Sequence, residues 1–176
     1  MSRQKGLSVY ELVLLPVLGV LMFLSKLLME FLPNIHLLGM FIVVFTLVFR
    51  VKALIPIYVY VFLVGLYMGF SPWWMANLYT WAVLWGMTML LPRRMPPKVA
   101  CVVYAAVCAL HGFAYGSLCA PAQAWLFGLD FRGMIAWIVA GFPFDVAHGV
   151  GNLLTGLFIV PFVALLRRLN RSAQRL

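Results

Sequence analysis

Charged residues, acidic residues and cysteines are all scarce in this sequence of 176 residues. Only 10% of the residues are charged, against about a quarter in average soluble domains. A disordered regulator is excluded, because that class depends on a high density of charge. The three cysteines are too few for the disulfide framework of a small secreted protein. An ordinary soluble enzyme is excluded too, since a fold of this size cannot bury an apolar fraction of 65%.

Long apolar runs make up most of the chain, whose mean hydropathy is +1.05. A membrane-crossing helix needs about 20 mostly apolar residues. Prolines, asparagines and basic residues divide this chain into runs near that length. We therefore predict an all-α membrane protein that forms a single integral membrane domain over residues 1–176. Its six transmembrane helices are expected at residues 8–31, 35–49, 53–70, 73–91, 98–119 and 143–166.

The segment before the last predicted span allows two interpretations. Gly141-Phe142-Pro143 interrupts a long apolar stretch, which predicts a short outer helix over residues 134–140, preceded by a loop. The alternative is an additional crossing over residues 122–142, which would give seven spans.

The positions of the basic residues favour six spans with the N- and C-termini in the cytoplasm, because cytoplasmic loops are enriched in Lys and Arg. Arg132 alone would face outward and Lys26 would lie within a span, whereas seven spans would place the basic C-terminal residues outside. With six spans, the cytoplasmic side receives Arg3, Lys5, Arg50, Lys52, Arg93, Arg94, Lys98, Arg167, Arg168, Arg171 and Arg175. The net charge of +9 thus reflects membrane orientation, and no nucleic-acid partner is expected.

Polar side chains inside predicted spans are costly in lipid, so they indicate functional sites or helix contacts. Lys26 and Glu30 are four residues apart on the first helix. They can neutralise each other, or Lys26 can attract an anionic group of a ligand. The predicted outer loops add the polar side chains of Asn34, His36 and Tyr115.

A second polar cluster consists of Asp145, His148 and Asn152, whose spacing places them on one face of the last helix. Asp145 follows Pro143 closely, so it can also act as a simple cap at the positive end of the helix dipole. Asn152 lies deeper in the predicted bundle, where its amide must bind either a neighbouring helix or a ligand.

The third cluster is an aromatic stripe in which Asn77, Trp81 and Trp85 recur every four residues. Trp81 and Trp85 lie too deep for an interfacial tryptophan belt. They either pack against neighbouring helices or form a stacking wall for a flat heterocyclic ligand.

No sequence pattern indicates a catalytic or metal centre. The histidines at 36, 111 and 148 lack metal-ligand spacing, and no nucleophile motif joins a serine or cysteine to Asp145 and His148. A glycine-rich phosphate-binding motif is also missing from the sequence. Energy for uphill transport would therefore come from a partner or an ion gradient.

Two motifs carry a resemblance to a known family. The chain reads Leu-Pro-Asn-Ile over residues 32–35, after the first predicted helix. It reads Gly-Phe-Pro-Phe-Asp-Val-Ala-His over residues 141–148, leading to Asn152. Together with the number and placement of the spans, these residues resemble a substrate-binding S component of an energy-coupling factor (ECF) vitamin transporter. The resemblance covers nearly the whole chain.

The resemblance implies a multi-pass protein of the cell membrane, the plasma membrane of a bacterium, that is not itself an enzyme. Such a subunit captures a small water-soluble vitamin or precursor from outside and docks on a transmembrane T component that carries two ATPase subunits. Docking topples the subunit within the bilayer and carries its pocket to the cytoplasmic side. Those partners use ATP, and no cofactor is expected in this chain.

The resemblance also implies a pocket role for Asn152, and with it for Asp145, His148, Asn34 and His36. Members of the family often dock through an Ala-x-x-x-Ala patch on the first helix. This chain departs from that pattern, and Gly19 is the expected substitute.

Three other functions stay open on the sequence alone. A small proton-coupled secondary transporter would work without ATPase partners and would use Asp145 and His148 as its proton relay. A membrane enzyme acting on lipid would place its polar cluster near the cytoplasmic face, whereas the clusters here map to the outer half. In an assembly or scaffold protein, Asn152 and Trp85 would serve packing only.

Overall fold

A computed structural model describes residues 6–32 and 34–173, and this part of the chain is all-helical, which confirms the predicted class. Arg3, Lys5, Pro33 and Arg175, which entered the sequence analysis, lie outside the described residues. A 3-10 turn over Arg50–Ala53 joins the second and third helices. The helices are α1 (Val9–Leu28), α2 (Leu38–Phe49), α3 (Leu54–Met68), α4 (Pro72–Met75), α5 (Asn77–Met89), α6 (Pro97–Phe113), α7 (Tyr115–Phe127), α8 (Phe131–Gly156) and α9 (Ile159–Ala173).

Four helical segments of the described residues are long and apolar enough to cross a membrane. Two of them combine neighbouring helices: the 3-10 turn at Arg50–Ala53 joins α2 to α3, and Ala114 joins α6 to α7. This arrangement is compatible with a multi-pass membrane protein. The segments are Val9–Leu28, Leu38–Met68, Pro97–Phe127 and Phe131–Gly156.

Helices α1 and α3 pack side by side and run in the same direction. Lys52, just before α3, lies with its Nζ 2.6 Å from Oε1 of Glu11 near the start of α1. Towards the other end, Lys26 Nζ lies 3.8 Å from the sulfur of Met68. Gly19 permits this close approach, because a Cβ there would lie 2.7 Å from the Pro56 carbonyl oxygen. Gly19 is therefore buried against α3, and the expectation that it substitutes for the docking patch is wrong.

Glycines also set the contact between α6 and α8, which run antiparallel. A Cβ at Gly112 would lie 2.8 Å from the Cα of Gly149, and a Cβ at Gly156 would lie 2.7 Å from the Cα of Ala105. With hydrogen in place of a side chain, the two backbones touch, as small residues allow at helix interfaces in membranes.

The bundle has two chemically different ends. We call the first the basic end, because it brings together the turn at Arg50 and Lys52 and the segments around Arg93, Arg94 and Arg167. Here Arg50 Nη2 donates to the Met89 carbonyl at 3.0 Å, and Arg167 Nη2 donates to the Leu47 carbonyl at 3.1 Å. Arg93, Arg94 and Arg167 line one cleft. The opposite end, where α1 finishes and α2 and α5 begin, contains a cavity, and we call it the cavity end.

The predicted break at Gly141-Phe142-Pro143 is wrong. Helix α8 runs without interruption through Pro143, so the short outer helix and separate last span are replaced by one helix of 26 residues. The physical reason is that Pro143 removes a single backbone hydrogen bond, whereas unwinding the chain in an apolar environment would expose several unpaired groups. Helix α8 begins earlier, at Phe131, and the side chain of the N-cap residue Asp130 accepts from the Gly133 N–H at 2.7 Å.

The loop predicted before the short outer helix is also mostly helical, because α7 extends to Phe127 before Gly128 turns the chain with a positive φ of 64°. The last predicted span, 143–166, is divided where α8 ends at Gly156 and α9 starts at Ile159. Pro161 lies in the first turn of α9, the part of a helix in which its missing N–H is tolerated.

Candidate functional site

A cavity of about 250 Å³ lies at the cavity end, between α1, the segment before α2, α3, α5, α7 and α8. Six of the nine residues predicted as binding residues line it. The structure brings together Lys26, Asn34, His36, Asn77, Trp81 and His148. These six side chains come from four separate parts of the chain, so the fold, and no local sequence motif, assembles the cavity.

Aromatic rings form a box around the indole of Trp81. Its ring centroid lies 5.3 Å from that of Tyr115, 5.8 Å from that of His36 and 6.2 Å from that of Tyr60. The ring of His148 closes the box, 4.7 Å from His36 and 4.9 Å from Tyr115. The edge-to-face and tilted arrangements are those that aromatic pairs prefer. The box therefore offers flat apolar faces with polar atoms at their edges.

Three polar atoms on the cavity-lining residues are buried and have no hydrogen-bond partner among residues 6–32 and 34–173. They are Asn77 Nδ2, His36 Nδ1 and His148 Nε2. The amide of Asn77 is fixed in orientation, because its Oδ1 accepts from Trp81 Nε1 at 2.8 Å and from the Tyr115 hydroxyl at 3.3 Å. Buried polar groups in proteins are nearly always paired. Three such atoms belong to residues that line one cavity, and others lie elsewhere in the bundle, on Thr80 and His111 among them.

His36 lies in the segment between α1 and α2, and burial lowers its pKa to about 4. Its imidazole is therefore neutral at pH 7, with one nitrogen as donor and the other as acceptor. A neutral ring in this position favours an uncharged partner with matching hydrogen-bond groups.

The charged residues at the mouth of the cavity neutralise each other. Lys26 Nζ lies 3.0 Å from Glu30 Oε1, and both residues line the cavity. Both interpretations of Lys26 from the sequence are compatible with this geometry, because the lysine is paired with Glu30 and also lines the cavity. A carboxylate on a ligand would have to share Lys26 with Glu30.

Asn34 lines the cavity from the turn after α1, where it adopts a positive φ of 57°. Asparagine is one of the few side chains that tolerate this left-handed conformation. Its position therefore serves the turn as well as the cavity.

The remaining three predicted binding residues do not line the cavity and instead join helices. Asp145 lies inside α8, so it does not cap the start of its own helix; its Oδ1 accepts from the Gly116 N–H, in the first turn of α7, at 2.8 Å. Asn152 Nδ2 donates to the Cys108 carbonyl at 3.1 Å. Trp85 Nε1 donates to the Arg50 carbonyl at 3.1 Å, at the basic end. Each of the three side chains binds the backbone of another element, which the sequence does not reveal, and Asn152 Oδ1 has no hydrogen-bond partner among the described residues.

Sequence reasoning missed Tyr60 and Met68, which line the cavity from α3. Both belong to an apolar run in which nothing distinguishes them from packing residues. Within the described part of the chain, no group of three or more His, Cys, Asp or Glu side chains is placed to hold a metal ion.

Comparisons with known proteins add no assignment: no family model, curated protein or solved structure matches the chain.

Proposed function

We propose that this chain is the substrate-capture subunit of an ECF-type transporter, spanning the membrane six times with both termini in the cytoplasm. Its cavity would open to the outside and bind a small vitamin-like molecule. The subunit would then dock on a T component whose two ATPase subunits supply the energy. The observation that carries this proposal is the cavity lined by side chains from several separate parts of the chain, with three unpaired polar atoms on its lining residues.

The proposed orientation rests on the chemical difference between the two ends. The basic end gathers Arg50, Lys52, Arg93, Arg94 and Arg167. Lys and Arg are retained on the cytoplasmic side of membrane proteins. Because the cavity lies at the opposite end, the same rule faces it outward, where a nutrient would arrive.

The lining supports a small, flat and uncharged ring system as the ligand. The cavity volume of about 250 Å³ is below the roughly 300–1,000 Å³ of sites for drug-sized molecules, which favours one or two rings. The aromatic box offers stacking surfaces, and the Asn77 amide N–H would donate to an acceptor at the edge of such a ring. The paired charges of Lys26 and Glu30 contribute little net attraction for an ion.

Mass spectrometry of small molecules released from the purified protein tests the capture role. We expect a heterocycle of one or two rings to be retained in near-stoichiometric amounts by the wild type. Asn77→Ala should lose it, since this change removes the unpaired donor and the brace on Trp81.

The matched control is Asn152→Ala, another buried amide in a helix, which binds a backbone carbonyl away from the cavity. It should keep the ligand even if it melts at a lower temperature. Equal loss from both folded variants, or no retained molecule in the wild type, would contradict the capture role.

A second experiment separates capture from self-sufficient transport. The purified chain is placed in ATP-free liposomes with a pH gradient, and uptake of the molecule identified above is measured. We expect no accumulation without the T component and ATPases. Accumulation by the chain alone would instead support the proton-coupled transporter and contradict the subunit role.

A further inference from the structure

A second cleft, of about 330 Å³, lies at the basic end between α9 and the start of α6. Three arginines line one part of it: Arg93, Arg94 and Arg167. The other part is apolar and includes Tyr104, Val160 and Val163. We call this site the arginine cleft. It is separate from the cavity described above, and the proposed transport role makes no use of it.

No carboxylate among the described residues lines the arginine cleft. Glu11 is paired with Lys52, and Glu30 and Asp145 belong to contacts at the cavity end. Arg167 is also held in place, because its Nη2 donates to the Leu47 carbonyl at 3.1 Å. The cleft therefore presents positive charge that no carboxylate of residues 6–32 and 34–173 neutralises, with one of the three guanidinium groups fixed in position.

Sequence polarity changes at the same depth on both walls of the cleft. Helix α9 is apolar over residues 159–166 and then continues as Arg167, Arg168 and Arg171. On the other wall, the apolar end of α5 leads into Arg93 and Arg94. In a membrane protein this change marks the boundary between acyl chains and headgroups. The arginine cleft therefore crosses that boundary, with guanidinium groups on one side and aliphatic and aromatic surface on the other.

We propose that the arginine cleft is a binding site for one anionic phospholipid. The headgroup phosphate would pair with Arg93, Arg94 and Arg167, whose planar guanidinium groups match phosphate oxygens in pairs. One acyl chain would lie along Tyr104 and Val160. Basic pockets between helices at the cytoplasmic surface are typical sites for such headgroups. Free phosphate shares the headgroup chemistry but would leave the apolar wall uncovered, so the lipid is the better match.

Thermal unfolding of the detergent-solubilised protein tests the proposal with two lipids of identical acyl chains. Phosphatidylglycerol is anionic and phosphatidylcholine has no net charge. Phosphatidylglycerol at 100-fold its Kd should raise the Tm by about 5 °C or more, and native mass spectrometry should show one molecule bound. Phosphatidylcholine and inorganic phosphate should shift the Tm little. Equal shifts with both lipids, or a phosphate shift as large as that of phosphatidylglycerol, would overturn the proposal.

Variants locate the site. The double change Arg93→Gln with Arg94→Gln should weaken phosphatidylglycerol binding on the order of 25-fold, since each basic residue near an anionic headgroup contributes about fivefold. Ala164→Trp should also weaken binding, because it fills the apolar part of the cleft. The control is Arg168→Gln on α9, which removes an exposed charge outside the cleft and should have a much smaller effect. A control as damaging as the double change would show diffuse surface attraction and overturn a defined site.

Discussion

The basic end and the cavity end use similar side chains for opposite purposes. At the basic end, Lys52, Arg50, Trp85 and Arg167 each bind an atom on another element, so that side chains fasten the helices together. At the cavity end, His36 and His148 face each other and the cavity without completing their hydrogen bonds among the described residues. The difference separates two reasons for a polar residue in a membrane bundle.

This contrast shows that residue type and depth do not identify a binding residue in lipid. A polar side chain is costly unless it is paired. The pairing can come from a neighbouring helix, in which case the residue is structural, or it can be left to a ligand. The partner atom across the interface therefore distinguishes the two, and only the folded structure shows it.

The largest effect is expected where the backbones of α6 and α8 touch. Gly112→Ala places a Cβ 2.8 Å from the Gly149 backbone, which cannot move without shifting α8. We expect a loss of about 2–3 kcal/mol, typical of overpacking. Gly141→Ala is the control, because a Cβ there meets nothing within 4 Å. Thermal unfolding in detergent measures both, and equal Tm values would contradict this packing.

The second prediction compares two tryptophans on α5: Trp81 at the cavity end and Trp85 at the basic end. Trp85→Phe breaks the bond to the Arg50 carbonyl, so it should cost about 1 kcal/mol of stability while the ligand is retained. Trp81→Phe breaks the bond that orients Asn77 in the cavity. It should therefore reduce the amount of small molecule that the protein retains, as well as its stability. Chemical unfolding and mass spectrometry of released ligand check the pair. The contrast would fail if Trp85→Phe released more ligand than Trp81→Phe.

Much of the helical fold follows from composition, because lipid leaves the backbone few alternatives to helices. The apolar runs therefore predicted where helices lie. Their interruptions were harder to place, because Pro143 and Pro161 have the same local chemistry. Helix α8 continues through Pro143, whereas the chain is redirected at residues 157–158, just before Pro161. Packing of α8 against α6, and not the proline itself, distinguishes the two positions.

The candidate site was partly predictable, because polar and charged side chains are costly in lipid and stand out in apolar runs. Lys26, Asn77, Trp81 and His148 are unusual in apolar runs and converge on one cavity. Asn152 is equally unusual, but the Cys108 carbonyl lies opposite its amide. Tyr60 is ordinary in sequence, and it enters the cavity only because α3 presents it to Trp81. Both outcomes depend on contacts between helices, which a single sequence does not encode locally.

The smallest effects are expected from the two ion pairs, one at each end, and they give the finest test of the contrast. The Lys52–Glu11 pair joins the turn before α3 to α1, with Lys52 Nζ 2.6 Å from Glu11 Oε1, and the Glu11 side chain is only 13% exposed. Lys52→Met should therefore cost about 1 kcal/mol, near the upper limit for exposed pairs, because it releases two helices from each other. Lys26 and Glu30 are neighbours on the same turn, so Lys26→Met should cost only about 0.3–0.5 kcal/mol.

Neither of these two lysine variants should change the retention of an uncharged ligand by much. Lys26→Met leaves Glu30 unpaired at the mouth of the cavity, which disfavours anionic ligands and leaves an uncharged ring almost unaffected. Lys52 lies beside the start of α1, at the basic end, so Lys52→Met should not change ligand retention. Denaturant titrations give the order of the two stability losses, and the amount of released small molecule shows whether retention is unchanged. A larger stability loss for Lys26→Met would mean that the cavity end, too, depends on its side chains to hold helices together.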